Sequence, residues 1–139
     1  MAAKDRFHDV VKTSLQKDGW EITHDPLTLR VDAVTDLHID LGAEMLIAAE
    51  REGEKIAIEI KSFLGQSVIN DFHGALGQFI NYRYALADLD PDRTLYLAIS
   101  LPTYEGIFAR RFIQSVIERA KVSLLIYDTE QEVIVKWLT

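Results

Sequence analysis

Glu44, Glu59 and Lys61 are the residues in this chain whose types and spacing suggest chemistry. Lys55–Ile60 alternates apolar and charged positions, the pattern of a β-strand. Side chains alternate along a strand, so Ile56, Ile58 and Ile60 share one face while Ala57, Glu59 and Lys61 share the other. A carboxylate and an ammonium therefore project together from a strand that otherwise reads as buried. Burying such charges costs several kcal/mol unless they pair or hold an ion. Glu44, upstream, opens a second apolar run, Met45–Ala49, and Arg51-Glu52-Gly53-Glu54 joins the two runs with the Gly and polarity of a hairpin loop. Pairing the runs brings Glu44 toward the end of the strand that carries Glu59.

The remaining chain must position that hairpin. It has 139 residues, 48% hydrophobic and 27% charged, enough for a single domain over residues 1–139 with a sizeable core. There is no Cys, which excludes disulfides and thiolate metal sites and fits a reducing, cytoplasmic setting. No apolar run approaches the roughly 20 residues of a membrane helix, and the N-terminus lacks an apolar signal region. The net charge of −7 argues against coating nucleic acid through bulk positive charge, but not against a local site where a metal ion supplies it.

Taken in order, Ala3–Asp18 reads as a helix with Phe7, Val10, Val11 and Leu15 as its buried stripe and Gly19 as a left-handed cap. His8 and Asp9 lie near the stripe, either as a solvated face or as accessory groups beside a metal. Trp20–Thr23 reads as a short strand, His24–Leu27 as a turn, and Leu27–Val31 as extended. Asp32, Asp36 and Asp40 do not have the spacing of an EF-hand calcium loop, and Asp40 is carried as a neighbour of the site. Ser67 caps a helix over Val68–Leu86 whose buried stripe is expected to be Ile69, Phe72, Leu76, Phe79, Ile80 and Leu86. Gln78 and Tyr82, four apart, are expected on a second, more polar face.

Thr94–Ser100 is a strongly apolar strand, expected at the centre of the sheet. Tyr104–Ala120 reads as one helix with Ile107, Phe108, Phe112, Ile113, Val116 and Ile117 on its apolar side, and Arg110 and Arg111 as candidate phosphate contacts. Ser123–Tyr127 and Glu132–Leu138 close the chain as strands, with Trp137 packed. A hairpin followed by βα units predicts an α/β fold, a mixed sheet flanked by helices.

Glu44, the Glu59-Ile60-Lys61 run and the Gln78–Tyr82 pair on the following helix resemble the PD-(D/E)xK nuclease superfamily, whose fold is termed restriction-endonuclease-like. That resemblance implies a Mg²⁺ or Mn²⁺ cofactor held by Glu44, Glu59 and the Ile60 carbonyl. It implies Lys61 as the group that positions water or stabilises phosphate charge, with Gln78 and Tyr82 in support. Glu44 departs from the Asp usual there, one methylene longer. A resemblance over nearly the whole chain rests on KDRFHDVVKTSL, IDLGAEMLIAAE, KIAIEIKSF, ALGQFINYRYAL and PDRTLYLAIS, which look like the fdxN element excision controlling factor XisH family of cyanobacteria. It implies a part in controlling excision of a DNA element, with DNA, an XisI-like protein and a site-specific recombinase as partners. Three roles remain open: a metal-dependent DNA phosphodiesterase, a catalytically silent regulator that binds a partner, and a toxin or defence nuclease with a neutralising partner. A homodimer is also open.

Overall fold

A computed structural model describes residues 3–32, 36–37 and 44–139, with side chains described over 6–32 and 46–139. Helix α1 (Ala3–Lys17) precedes β1 (Glu21–His24), β2 (Leu29–Arg30) and β3 (Asp36–Leu37). The hairpin strands are β4 (Glu44–Arg51) and β5 (Glu54–Lys61), followed by α2 (Val68–Leu89) and β6 (Arg93–Ser100). Then come α3 (Leu101–Glu105), a 3₁₀ turn (Ile107–Ala109), α4 (Arg111–Ala120), β7 (Leu124–Asp128) and β8 (Val133–Leu138).

Six strands form one mixed sheet in the order β1-β4-β5-β6-β7-β8, and β2 and β3 pair separately. β5–β6 and β6–β7 are parallel, while the remaining pairs are antiparallel. The expected central strand is therefore central, and the α/β class with a mixed sheet flanked by helices is what the chain adopts. At the hairpin tip Glu52 (φ 50°) and Gly53 (φ 84°) are both left-handed, the two-residue turn whose twist matches that of its strands.

The sheet has two unequal faces. On one, Val10, Val11 and Leu15 of α1 pack against Ile47, Ile56, Ile58, Ile60, Ala98 and Leu125. Trp20 stacks on Trp137 (5.8 Å), which meets Tyr96 edge-on (4.9 Å), so the last strand is packed as expected. On the other face, Phe72, Ala75, Phe79 and Tyr82 of α2 cover Leu46, Ala57, Leu97 and Ile99 together with Phe108 and Ile113.

The region 104–120 departs from the expected single helix. Helix α3 starts earlier, at Leu101, because Pro102 suits a first turn and the Ser100 hydroxyl accepts from the Thr103 N–H (3.4 Å). Gly106 (φ −91°, ψ −103°) and Arg110 (φ −68°, ψ 136°) then leave helical geometry. The break lets the consecutive residues Ile107 and Phe108 both be buried. It also turns α4 so that Ile113 is its buried residue and Phe112, expected on the apolar side, is 69% exposed.

Candidate functional site

Glu59 lies two residues before the end of β5 on the face covered by α2. Its partners in the ladder are Leu46 on β4 and Leu97 on β6, and it is fully buried. Lys61, the last residue of β5, follows on the same face and is 8% exposed. Antiparallel pairing sets Lys61 opposite Glu44 in the backbone register. The side chain of Glu44 lies outside the described side chains, and Asp40 lies outside the described residues. Ile60 turns its side chain to the α1 face, so only its backbone carbonyl is available to a site among these residues. The group stands at the carboxyl ends of the parallel strands β5 and β6, where open α/β sheets bind their ligands.

Helix α2 brings the next two residues. Its buried positions are Phe72, Ala75, Phe79, Tyr82, Ala85 and Leu86, while Ile69 is 40% exposed. The stripe is thus rotated from the expected one toward Ala75, Tyr82 and Ala85. Small residues there let the helix lie close to the sheet. Tyr82 is consequently a core residue in one cluster with Leu46, Ala57 and Leu97, the surroundings of Glu59, and not a member of a polar face. Gln78, one turn earlier, has a buried Oε1 with no hydrogen-bond partner among the described residues. A buried acceptor left unmet costs about 1–3 kcal/mol, so this amide is suited to a donor that arrives with a ligand or water.

The sequence profile of the XisH protein family matches residues 1–135. The chain belongs to the XisH family. It is similar to the solved structure of an XisH family protein from Nostoc punctiforme, at 54% identity and a TM-score of 0.90, covering 97% of this chain and 100% of that one. It is likewise similar to the structure of an fdxN element excision controlling factor protein from Anabaena variabilis, at 54% identity and a TM-score of 0.89, covering 97% and 99%. No curated protein matches the chain.

In this XisH-family chain the donors of Glu59 and of the Ile60 carbonyl at the strand end are oxygens, the type that a hard divalent cation takes. Among the described residues no three His, Cys, Asp or Glu side chains converge as a metal cluster. The described carboxylate at this end is that of Glu59, and a second would come from Glu44.

His8 and Asp9 stand elsewhere. His8 Nε2 meets Asp25 Oδ1 at 2.7 Å, and Lys12 Nζ meets Asp25 Oδ2 at 2.7 Å, so these residues tie α1 to the loop after β1. Burial pushes the Asp25 carboxyl up, but Lys12 and His8 together outweigh it and hold it below its ordinary value. Helix α1 packs on the face of Ile58 and Ile60, opposite to that of Glu59. The structure thus gives His8 and Asp9 an architectural setting and does not bring them beside Glu59.

Arg110 and Arg111 are both exposed, at the start of α4. Arg110 lines a groove of about 440 Å³ with Phe63, Val68, Pro102 and Ile107. Phe63 follows Lys61 by two residues and Pro102 follows β6, so the groove opens beyond the same strand ends as the site.

Two features of this rim, the backbone of Phe63 and the bond between Gly65 and Asp71, carry no sequence signal. Phe63 is left-handed (φ 57°), an outlier for a bulky side chain, with its ring edge-on to Phe108 at 5.4 Å. The Gly65 N–H donates to Asp71 Oδ2 (2.8 Å), and a Cβ on Gly65 would lie 2.6 Å from the Asp71 carboxylate. Only the Ser67 cap, whose hydroxyl accepts from the Asn70 N–H at 3.2 Å, was legible in the sequence of this loop.

Proposed function

We propose that this XisH-family protein controls excision of a DNA element through a metal-dependent phosphodiesterase site built on Glu44, Glu59, Lys61, Gln78 and Tyr82. The observation that carries the reading is the placement of a fully buried Glu59 and a nearly buried Lys61 on one strand face, under a helix whose Gln78 offers an unmet buried acceptor. A hydrophobic core alone has no use for those three polar groups together.

In this reading Glu44, Glu59 and the Ile60 carbonyl would hold Mg²⁺ or Mn²⁺. The bound ion would lower the pKa of a coordinated water and offset phosphate charge. Lys61 donates to the scissile phosphate or to the attacking water, stabilising negative charge where it develops. Gln78 Oε1 accepts a hydrogen bond from Lys61 or from that water and fixes its direction. Tyr82, locked in the core, sets the approach of α2. The oxygen of a water adds to phosphorus, the bond to the departing sugar oxygen breaks, and the proton that the water gives up passes to that oxygen. Arg110 and Arg111 bind flanking phosphates.

The test is DNA cleavage at millimolar Mg²⁺ or Mn²⁺ by the wild type, Glu59→Gln and Lys61→Ala. The expected result is cleavage by the wild type and a loss of about 10²–10³-fold in each variant. Cleavage unchanged in Glu59→Gln, or none by the folded wild type on any DNA form with either metal, would sink the reading. A second reading, a silent regulator that binds an XisI-like protein or a recombinase, draws on the net charge of −7. Under it Glu59→Gln leaves excision control intact.

A further inference from the structure

We infer that the rim beside the candidate site is a stacking and wedging surface for DNA with unpaired bases, which makes single-stranded or junction DNA the substrate class. The inference rests on the phosphodiesterase reading for what happens at the site, though not for binding.

Three observations converge. The first is electrostatic. In a chain of net charge −7, the residues that line the groove include the cation of Arg110 and no Asp or Glu, with Arg111 next in sequence and Glu105 between Thr103 and Gly106. Phosphates meet there two adjacent cations against one exposed carboxylate, that of Glu105.

The second is the exposure of large apolar side chains close in sequence to the lining residues Phe63 and Arg110. Phe112 is 69% exposed beside Arg111, and Leu64 is 60% exposed three residues after Lys61. An exposed aromatic ring next to arginines suits the π-face of a base and its phosphate, the combination that single-strand binders use. Paired bases inside a duplex present no free face to such a ring.

The third is that the Leu64 loop is built, not loose. Phe63 accepts a left-handed backbone and anchors its ring on Phe108. The Gly65 N–H is held by Asp71, and Ser67 caps α2. A loop fixed on both sides of a solvent-directed leucine holds that side chain in one place. Apolar side chains so placed act as wedges between bases. A non-glycine residue at positive φ costs about 1–3 kcal/mol and marks a position the surroundings over-determine.

The experiment is fluorescence anisotropy in EDTA with three labelled DNAs of equal length: single-stranded, forked and fully duplex. The proteins are the wild type, Leu64→Ser, Phe112→Ala, Phe112→Trp and Arg110→Ala/Arg111→Ala. The wild type is expected to bind the single-stranded and forked forms more tightly than duplex. Phe112→Ala should weaken that binding by about tenfold with an unchanged salt slope, and Phe112→Trp should restore it. The double arginine variant should weaken all three forms and reduce the salt slope by about one unit per lost contact. Equal or tighter duplex binding overturns the inference, as does a preference for unpaired DNA that survives both Phe112→Ala and Leu64→Ser. Absence of binding to every form also overturns it and assigns the rim to a protein partner. Cleavage is read separately with Mn²⁺. A wild type that prefers unpaired DNA in EDTA yet cleaves none refutes the nuclease reading alone. One that cleaves while binding all forms equally refutes this inference alone.

Discussion

Replacing Lys61 with Ala removes an ammonium that is 8% exposed, two residues along one strand face from a carboxylate that is fully buried. If Glu59 depends on Lys61 for its compensation, the truncation leaves a buried charge unmet and costs roughly 3–5 kcal/mol. At about 3–5 °C per kcal/mol for a chain of this size, Tm falls by roughly 10–20 °C, whatever metal is present. If Glu59 is instead a cation ligand, Mn²⁺ at a hundred times its Kd stabilises the folded state by about 2.7 kcal/mol, a rise of roughly 10 °C. Lys is not a ligand, so Lys61→Ala should keep that rise, whereas Glu59→Gln should lose it. Thermal melts in EDTA and in millimolar Mn²⁺ separate the two, read by fluorescence of the packed Trp20 and Trp137. A wild type with no metal-dependent shift, beside a Lys61→Ala protein that melts far lower in both buffers, would refute the metal site and leave a buried ion pair.

Two further outcomes follow from groups away from the site. The Tyr127 hydroxyl is buried without a partner among the described residues, and burial pushes its pKa well above the ordinary phenol range. Tyr127→Phe should therefore be neutral or stabilising by up to about 1 kcal/mol in denaturant melts, and a loss of more than that would reveal a bond to the hydroxyl. Asp90 accepts from Lys55 Nζ (2.7 Å) and Arg93 Nε (3.0 Å). The Lys55 ammonium first, against partial burial and with Arg93 in support, holds its carboxyl below the ordinary range. A depressed pKa contributes stability above the unfolded value of about 3.9 and loses it as pH falls through the folded value. The stability gap between the wild type and Asp90→Ala should thus be full at pH 7 and shrink below about pH 4. A gap independent of pH would contradict the pairing.

How far the sequence reaches depends on whether an element is specified locally. The hairpin was legible because Gly53 and the alternation of Lys55–Ile60 state both turn and face within a few residues, and the register then sets Glu44 opposite Lys61. The rotation of α2 was not. Its largest apolar residues suggest a stripe through Ile69, whereas close packing on the sheet selects the small Ala75 and Ala85 and draws Tyr82 in. The break at Gly106–Arg110 was hidden for a related reason. The stretch 104–117 satisfies helical periodicity, and only the packing of Ile107 and Phe108 together under α2 and the sheet makes a 3₁₀ turn preferable. The positive φ of Phe63 has no local signal at all, because nothing in the type of a phenylalanine favours it.

Under the proposed reading, the acidity of the chain and a role on DNA are reconciled by distance. At physiological salt the Debye length is about 8 Å, so a phosphate senses the charges beside it and little of the rest. What matters is therefore the rim. Arg110 lines the groove, Arg111 follows it, and the loop from Ser62 to Asn70 adds no carboxylate. Asp71, the acid closest in sequence to that loop, is engaged by the Gly65 N–H. None of the groove's lining residues is acidic, although Glu105 lies between two of them, and the rest of the −7 net charge would oppose indiscriminate binding along a duplex. That approach ends at the carboxyl ends of β5 and β6, beside Lys61. The same charge distribution that excludes a general DNA-coating protein is thus the distribution suited to one that admits DNA at a single edge.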